Sequence, residues 1–257
     1  ARQEWRGASS KSKLLFEGLC KLFMPRRALF HVTSDAERLA CERAFPQLPS
    51  TKVENPIILP EDPAGRSYSP DGNLRLVFLS RLHPKKGLET LLEALAAASG
   101  DAPNATLDIY GEGDASYKAA VSKLALTLGV SEKVRFHGHV SGSEKSDAFM
   151  NADVFVLPSF SENFGIVVAE ALSYRVPTIT TTITPWAETV DLECGIQFEA
   201  GDVDSLAAAI VRMMNSDLKE MGDRGRSFVE SRFANDRISR RMRSIYNELC
   251  SFPKIDT

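Results

Sequence analysis

The sequence predicts an α/β protein, a parallel sheet with helices on both faces, preceded by part of a second α/β domain. Three observations predict this class. From residue 74 onward, short runs rich in β-branched and aromatic residues alternate with longer helical stretches, and that alternation implies right-handed crossovers between parallel strands. Runs such as DVFVL (153–157) are almost continuously apolar, as suits strands buried on both sides. A stretch rich in proline and glycine, without periodicity, occupies 59–73 and separates the regular region from a shorter one before it.

Taken in order, residues 1–58 read as helix, strand, helix, strand. A basic helix falls at 9–24 and a strand at 28–32. The next helix starts at Ser34, with Glu37 three residues on completing a capping box, and a short strand spans 51–58. After the linker at 59–73, strands are expected at 74–80, 105–111, 133–138, 152–158, 176–181 and 194–199, with helices between most of them, including 88–98 and 117–128. Residues 202–250 read as helical throughout. The organisation expected is a partial N-terminal α/β domain (1–58), the linker, a Rossmann-like domain (74–232) and a C-terminal helix (233–257) that packs back toward the N-terminal region.

Composition limits the function. Hydrophobic residues make up 43% and charged residues 25% of the 257, ordinary for a globular protein with a substantial core. No apolar run approaches the length that crosses a bilayer, and the start of the chain has no secretory pattern. Cys20, Cys41, Cys194 and Cys250 lie far apart, which suits reduced thiols in a cytosolic protein better than a disulfide frame or a zinc site. The net charge of −3 hides an asymmetry: residues 1–27 carry +5 and the remainder −8. The basic segment beside Leu14, Phe16, Leu19 and Phe23 suits a core helix with solvated Lys and Arg; the other reading is a peripheral contact with anionic lipid headgroups. No nucleic-acid partner is expected.

In an open parallel sheet, ligands bind outside the carboxyl ends of the strands, so the loops there carry the functional information. In SRLHPKKG (80–87) a strand ends at Ser80, and Arg81 and Lys86 flank a tight turn that leads through Gly87 into a helix. Two cations beside a helix N-terminus make a site for a diphosphate. Lys85 and Lys86 alone would read as a solvated loop; Arg81 on the strand end favours function. In SENFGIVVAEAL (161–172), Glu162 lies in a loop and Glu170 inside a helix that starts near Phe164. A loop carboxylate accepts hydrogen bonds from sugar hydroxyls, and a helical one grips a vicinal diol such as that of ribose. Gly165 lets backbone amides approach an anion closely. Surface helices often carry spaced glutamates, but a carboxylate within IVVAEAL needs a partner.

The pairing of SRLHPKKG with SENFGIVVAEAL resembles family 4 of the retaining glycosyltransferases, whose E-x(7)-E signature is matched by Glu162 and Glu170. LDIYGEGD (107–114), VRFHGHV (134–140) and ADVFVLPS (152–159) add to the likeness, which is dense from about 72 to 232. RALFHVTSDAE followed by NPI resembles the end of the family's acceptor-side domain. The resemblance implies the two-domain GT-B fold and transfer of a hexosyl unit, with retained configuration, from a nucleotide diphosphate sugar to a saccharide or lipid-linked acceptor in cell-surface polysaccharide or glycolipid synthesis. It implies that Arg81 and Lys86 hold the diphosphate and stabilise the departing nucleotide, that Glu162 touches the transferred sugar, and that Glu170 binds the ribose. Asn163, Phe164, Gly165 and Ile166 complete the sugar and phosphate site, and Gly138, His139 and Val140 line the base. No cofactor and no divalent metal are implied, because two cations and a helix dipole take the metal's role.

Departures from the family temper this. Its first domain opens with a glycine-rich loop and later supplies a histidine near the donor sugar; residues 1–58 match neither, so the chain is expected to be incomplete, binding donor better than it transfers sugar. A non-catalytic nucleotide-sugar-binding module or gene fragment is the alternative. A Rossmann dehydrogenase is disfavoured, since no G-x-G-x-x-G follows the first strand of the regular region. Gly111-Glu112-Gly113 reads as a turn rather than a phosphate cradle. His137 and His139 alternate on a strand without a third metal ligand in view, and Trp186 reads as loop packing.

Overall fold

The computed structural model describes residues 18–19, 28–61, 63, 65–69 and 72–251. The helix expected at 9–24 lies outside them apart from Gly18 and Leu19, which are helical. The first described unit is small: strand β1 (Phe30–Val32), helix α1 (Asp35–Ala44) and strand β2 (Ser50–Lys52), with β1 and β2 parallel. Ser34 caps α1 by accepting from the Glu37 amide at 3.2 Å. Glu37 reaches back to the amide and hydroxyl of Thr33, both at 2.7 Å, so the reciprocal cap reads one residue earlier than the usual box. The strand expected over 51–58 is shorter. Pairing stops at Lys52, because the partner β1 offers only three residues, and Ile57 instead bridges to Ala234.

The second unit is a six-stranded parallel sheet in the order β5-β4-β3-β6-β7-β8. Its strands are β3 (Leu74–Leu79), β4 (Ala105–Tyr110), β5 (Val134–Gly138), β6 (Val154–Leu157), β7 (Thr178–Thr181) and β8 (Gly195–Phe198). The crossover helices are α2 (Leu88–Ala97), α3 (Ala115–Thr127), α4 (Gly142–Met150), α5 (Ile166–Ser173) and α6 (Glu188–Asp191). The 202–250 stretch divides into α7 (Val203–Met214), α8 (Leu218–Phe233) and α9 (Asn235–Ser251).

Strand alternation distributes side chains to two cores. Leu74, Leu76 and Phe78 of β3 join Val154 and Val156 of β6 on the face covered by α2, α3 and α7, while Val77, Phe155 and Leu157 join the core beneath α4, α5 and α8. Both faces of the central strands are therefore buried. Each such side chain contributes about 1.5–3 kcal/mol, more than a typical cap at about 1 kcal/mol, so packing rather than capping fixes the helices.

The segment before β3 is held to the sheet rather than free of it. Arg66 donates to the carbonyls of Phe149 and Ala152, and Tyr68 donates to the Arg175 carbonyl at 2.6 Å. Asp153, buried just before β6, accepts from the Ser69 and Arg75 amides and from the Arg75 guanidinium. At the other end, the Ile57 amide donates to the Phe233 carbonyl at 3.0 Å, and Glu54 pairs with Arg232 and Arg241. The junction of α8 and α9 thus lies against the first unit.

Candidate functional site

The strand order places the topological switch point between β3 and β6. The chain leaves β3 toward β4 and β5, returns to β6, and then runs outward to β8. Loops diverge on either side of such a point and leave a crevice at the carboxyl ends. The ladders differ accordingly: β3 pairs with β4 over six positions, but with β6 only at Leu76–Val154 and Val77–Phe155.

The loop after β3 enters this crevice. Arg81 stands exposed at the strand end. His83 caps a 3-10 turn, Pro84–Lys86, by accepting from the Lys85 amide at 3.1 Å. Gly87 then adopts φ 68° and ψ 28° and begins α2. A Cβ there would lie 2.0 Å from the Pro158 carbonyl oxygen, so glycine is required both by backbone angle and by the approach of the β6 loop. The Phe160 amide donates to the Lys85 carbonyl at 2.8 Å, tying the two loops together. As a result Lys86 meets Glu162: Nζ lies 2.6 Å from Oε2, with the side chains 17% and 16% exposed. Arg81 and Lys86, placed together by the sequence, differ here: Lys86 is paired and half-buried, Arg81 is open to solvent.

Glu162, Asn163 and Phe164 run up to Gly165, whose φ of 71° and ψ of 57° cap α5 in the left-handed region. The expected helix start near Phe164 is two residues late in the structure, because the left-handed glycine cannot belong to the helix. Trp186, buried as expected, donates its indole N–H to the Phe164 carbonyl at 2.6 Å and packs with Phe164, Phe228 and Phe233 at centroid distances of 5.4–6.3 Å. This aromatic cluster fixes the entry to α5, where the Val168 amide donates to the Gly165 carbonyl at 2.8 Å and the amides of the first two helical positions, Ile166 and Val167, precede the first intrahelical acceptor. Ile166 is exposed at that end.

Glu170, one turn further along α5, has the partner its apolar surroundings demanded. Lys145 Nζ on α4 lies 2.6 Å from its Oε1. Beside that pair, the Ser146 and Tyr174 hydroxyls are 2.6 Å apart, and Phe149 stacks on Tyr174. Lys145 was missed in the sequence, since GSEKSDAFM carries no recognisable motif. Its one signal was Glu170 itself, a carboxylate in need of a cation. The two glutamates of the 162/170 pair thus each hold a lysine from a different loop or helix.

The loop after β5 completes the rim. Gly138, at φ 80°, accepts from the Gly111 amide at 2.7 Å; His139 is exposed and Val140 partly buried. The two glycines of 111–113 allow close backbone approach: a Cβ on Gly111 or Gly113 would lie 1.9 or 2.0 Å from the carbonyls of Ser80 or Leu82. His137 pairs with Asp108 at 2.6 Å and stacks on Tyr110 at 4.4 Å. Among the described residues no group of three or more His, Cys, Asp or Glu is placed to hold a metal, and no helix is long and apolar enough to cross a membrane.

A family model described as "Glycosyl transferases group 1" matches residues 65–228. A GDP-mannose-dependent monoacylated alpha-(1-6)-phosphatidylinositol monomannoside mannosyltransferase of Corynebacterium glutamicum is 30% identical over 175 residues, 65% of this chain and 45% of that protein. A capsular polysaccharide biosynthesis glycosyltransferase of Staphylococcus aureus is 30% identical over 178 residues, 68% of this chain and 46% of its own. The chain spans half or less of the length of these curated relatives. A sucrose-phosphate synthase from Thermosynechococcus elongatus superimposes with TM-score 0.78 at 23% identity, over 97% of this chain and 66% of that one. A glycosyltransferase from Rickettsia africae superimposes with TM-score 0.80 at 18% identity, over 93% and 68%. The structural likenesses show the GT-B glycosyltransferase fold. With the matched model covering well over half of its residues, the chain belongs to the glycosyl transferases group 1 family.

Proposed function

We propose that the crevice between β3 and β6 binds a nucleotide diphosphate sugar and that the protein transfers its hexosyl unit, with retained configuration, to an acceptor hydroxyl. The observation that carries this reading is the meeting of Lys86 and Glu162 at the switch point, between the loops of the two strands that flank it. Lys86 and Arg81 hold the diphosphate, Glu162 accepts hydroxyls of the sugar, and the free amides of α5 face the phosphate or sugar. Glu170, aligned by Lys145, takes the ribose diol. Gly138, His139 and Val140 line the base. The Corynebacterium glutamicum and Staphylococcus aureus relatives are named for phosphatidylinositol mannoside and capsular polysaccharide synthesis, which supports a saccharide or lipid-linked acceptor.

In the reaction, the acceptor oxygen forms its bond to the anomeric carbon on the face from which the bond to the diphosphate oxygen breaks. The acceptor's proton passes to the departing diphosphate. Negative charge grows on that leaving group, and Arg81, Lys86 and the α5 dipole stabilise it where a metal ion would act in other enzymes. A thermal-shift panel of UDP-, GDP- and ADP-hexoses tests the donor assignment. The matching donor at a hundredfold excess over its Kd stabilises by about 2.7 kcal/mol, and no shift with any of the three would refute it. NMR of the product's anomeric proton tests retention.

A further inference from the structure

α5 is eight residues long, so its last carbonyls lie only about a turn beyond Glu170, and a helix cannot pair these groups by itself. Three consecutive carbonyls at this end are met by side chains that belong to the 59–73 segment or are tied to it. Arg226 of α8 donates to the Ser173 carbonyl at 2.6 Å and to the Pro60 carbonyl at 3.2 Å. Arg66 donates to the Tyr174 carbonyl at 3.4 Å, and the Tyr68 hydroxyl to that of Arg175 at 2.6 Å. Arg175 stands at φ 59°, a conformation that persists only where the surroundings hold it. The same Arg66 guanidinium donates to the Phe149 carbonyl of α4 at 2.7 Å and to that of Ala152, and it lies 4.5 Å over the Tyr68 ring. One planar fork thus joins the C-terminal ends of two helices. Those helices carry Lys145 and Glu170. Positions 145 and 149 of α4, and 170 and 174 of α5, are each four apart and share one helix face. The contacts between them form a ladder: Lys145 with Glu170 at 2.6 Å, Ser146 with Tyr174 at 2.6 Å, Phe149 stacked on Tyr174, and Arg66 at the foot.

We propose that Arg66 is a positioning residue for the nucleotide: by fastening the C-terminal ends of α4 and α5 it sets their register, and with it the direction in which Glu170 offers its carboxylate to the ribose diol. A slip of about 1 Å along either helix would stretch a hydrogen bond past the roughly 3.2 Å at which it still holds well. The segment joining the two units, rather than the loops of the crevice, thereby governs how well a ribose is told from a 2′-deoxyribose. The ribose part rests on the role given to Glu170 above; the fastening of the helices does not.

Calorimetry on the whole chain, with UDP and GDP against their 2′-deoxy forms, tests the inference. Arg66→Gln is expected to lower the preference for ribose at least threefold while affinity for the 2′-deoxy form changes less than twofold. Arg66→Lys, which keeps a donor but cannot span both helix ends, is expected to fold and to lose part of the preference. In a Glu170→Gln background neither change should alter the preference further. Equal losses for both forms of the ligand, or a preference that Arg66→Lys and Arg66→Gln both leave untouched, would overturn the proposal. Denaturant unfolding gives a readout without ligand. Arg66 and Lys145 share no side-chain bonding partner, and independent sites add. A common register predicts that Arg66→Lys combined with Lys145→Met departs from additivity by at least threefold in the unfolding constant, and additive effects would also overturn it. Non-additivity in a protein that binds neither nucleotide, or binds ribose and 2′-deoxyribose forms alike, would uphold the fastening while overturning the ribose role of Glu170.

Discussion

Lys86 and Glu162 neutralise each other across the crevice, yet the proposed reaction sends one to the diphosphate and the other to the sugar. Donor binding must therefore break a half-buried ion pair. Glu162→Gln is expected to tighten binding of bare UDP or GDP, by about 1 kcal/mol or roughly fivefold, while sugar transfer is lost; weaker calorimetric binding would show that Lys86 does not turn to phosphate. Lys145 makes a parallel case at Glu170. Lys145→Met is expected to reduce the preference for a ribose over a 2′-deoxyribose nucleotide, and Lys145→Arg to restore much of it, as competition binding would show. An unchanged preference would leave the Lys145–Glu170 pair a purely structural link. Glu170's need for a cation was legible from IVVAEAL, because an unpaired carboxylate in apolar surroundings is costly. Its partner was not legible: 25 residues separate them, and only the packing of α4 on α5 brings them together.

At the scale of elements, two glycines with similar backbones predict unequal costs. Gly87 and Gly129 have φ 68° and φ 72°, but a Cβ on Gly87 would meet the Pro158 carbonyl at 2.0 Å while one on Gly129 meets nothing within 4 Å. Gly129→Ala should cost about 1 kcal/mol from backbone strain alone. Gly87→Ala should cost at least about 2 kcal/mol more and also weaken nucleotide binding, since the β3 and β6 loops must part. Denaturant midpoints check this, and equal costs would mean the loop contact is soft. Strand positions and the Ser34–Glu37 cap were legible because alternation and capping are local. The overlong strand at 51–58 was not avoidable from sequence, since its apolar residues serve the junction with Phe233 and Ala234 rather than a sheet partner. The left-handed start at Gly165 hid one helix boundary, expected near Phe164 and found at Ile166, because glycine marks a turn but not which side of it begins the helix, whereas the start at Leu88 after Gly87 is where the sequence places it.

Across the whole molecule, Asp153 fastens the 66–69 segment and β3 to β6. Burial opposes its charge, but hydrogen bonds from Arg75 and Ser69 outweigh burial and hold its carboxyl below the ordinary 3.8. The folded state thus favours the carboxylate, so this stabilisation is complete above the ordinary value and is lost as pH falls below about 4. Asp153→Asn should cost about 3 kcal/mol at neutral pH and flatten the acid limb of a stability–pH curve; an unchanged acid limb would assign acid sensitivity elsewhere. Burial likewise pushes the Cys194 thiol up to about 11, so alkylation of the folded protein at pH 8 should spare it while modifying exposed Cys250. At the centre of the molecule is one arrangement, a switch point at which the β3 and β6 loops bring Lys86 against Glu162. Calorimetric titration of Lys86→Ala and Arg81→Ala with UDP and GDP, against uridine and guanosine, tests that arrangement most directly. The account predicts that each variant loses about 1.5–3 kcal/mol toward the diphosphate that binds and nothing toward its nucleoside; equal losses for both ligands, or none for either, would contradict it.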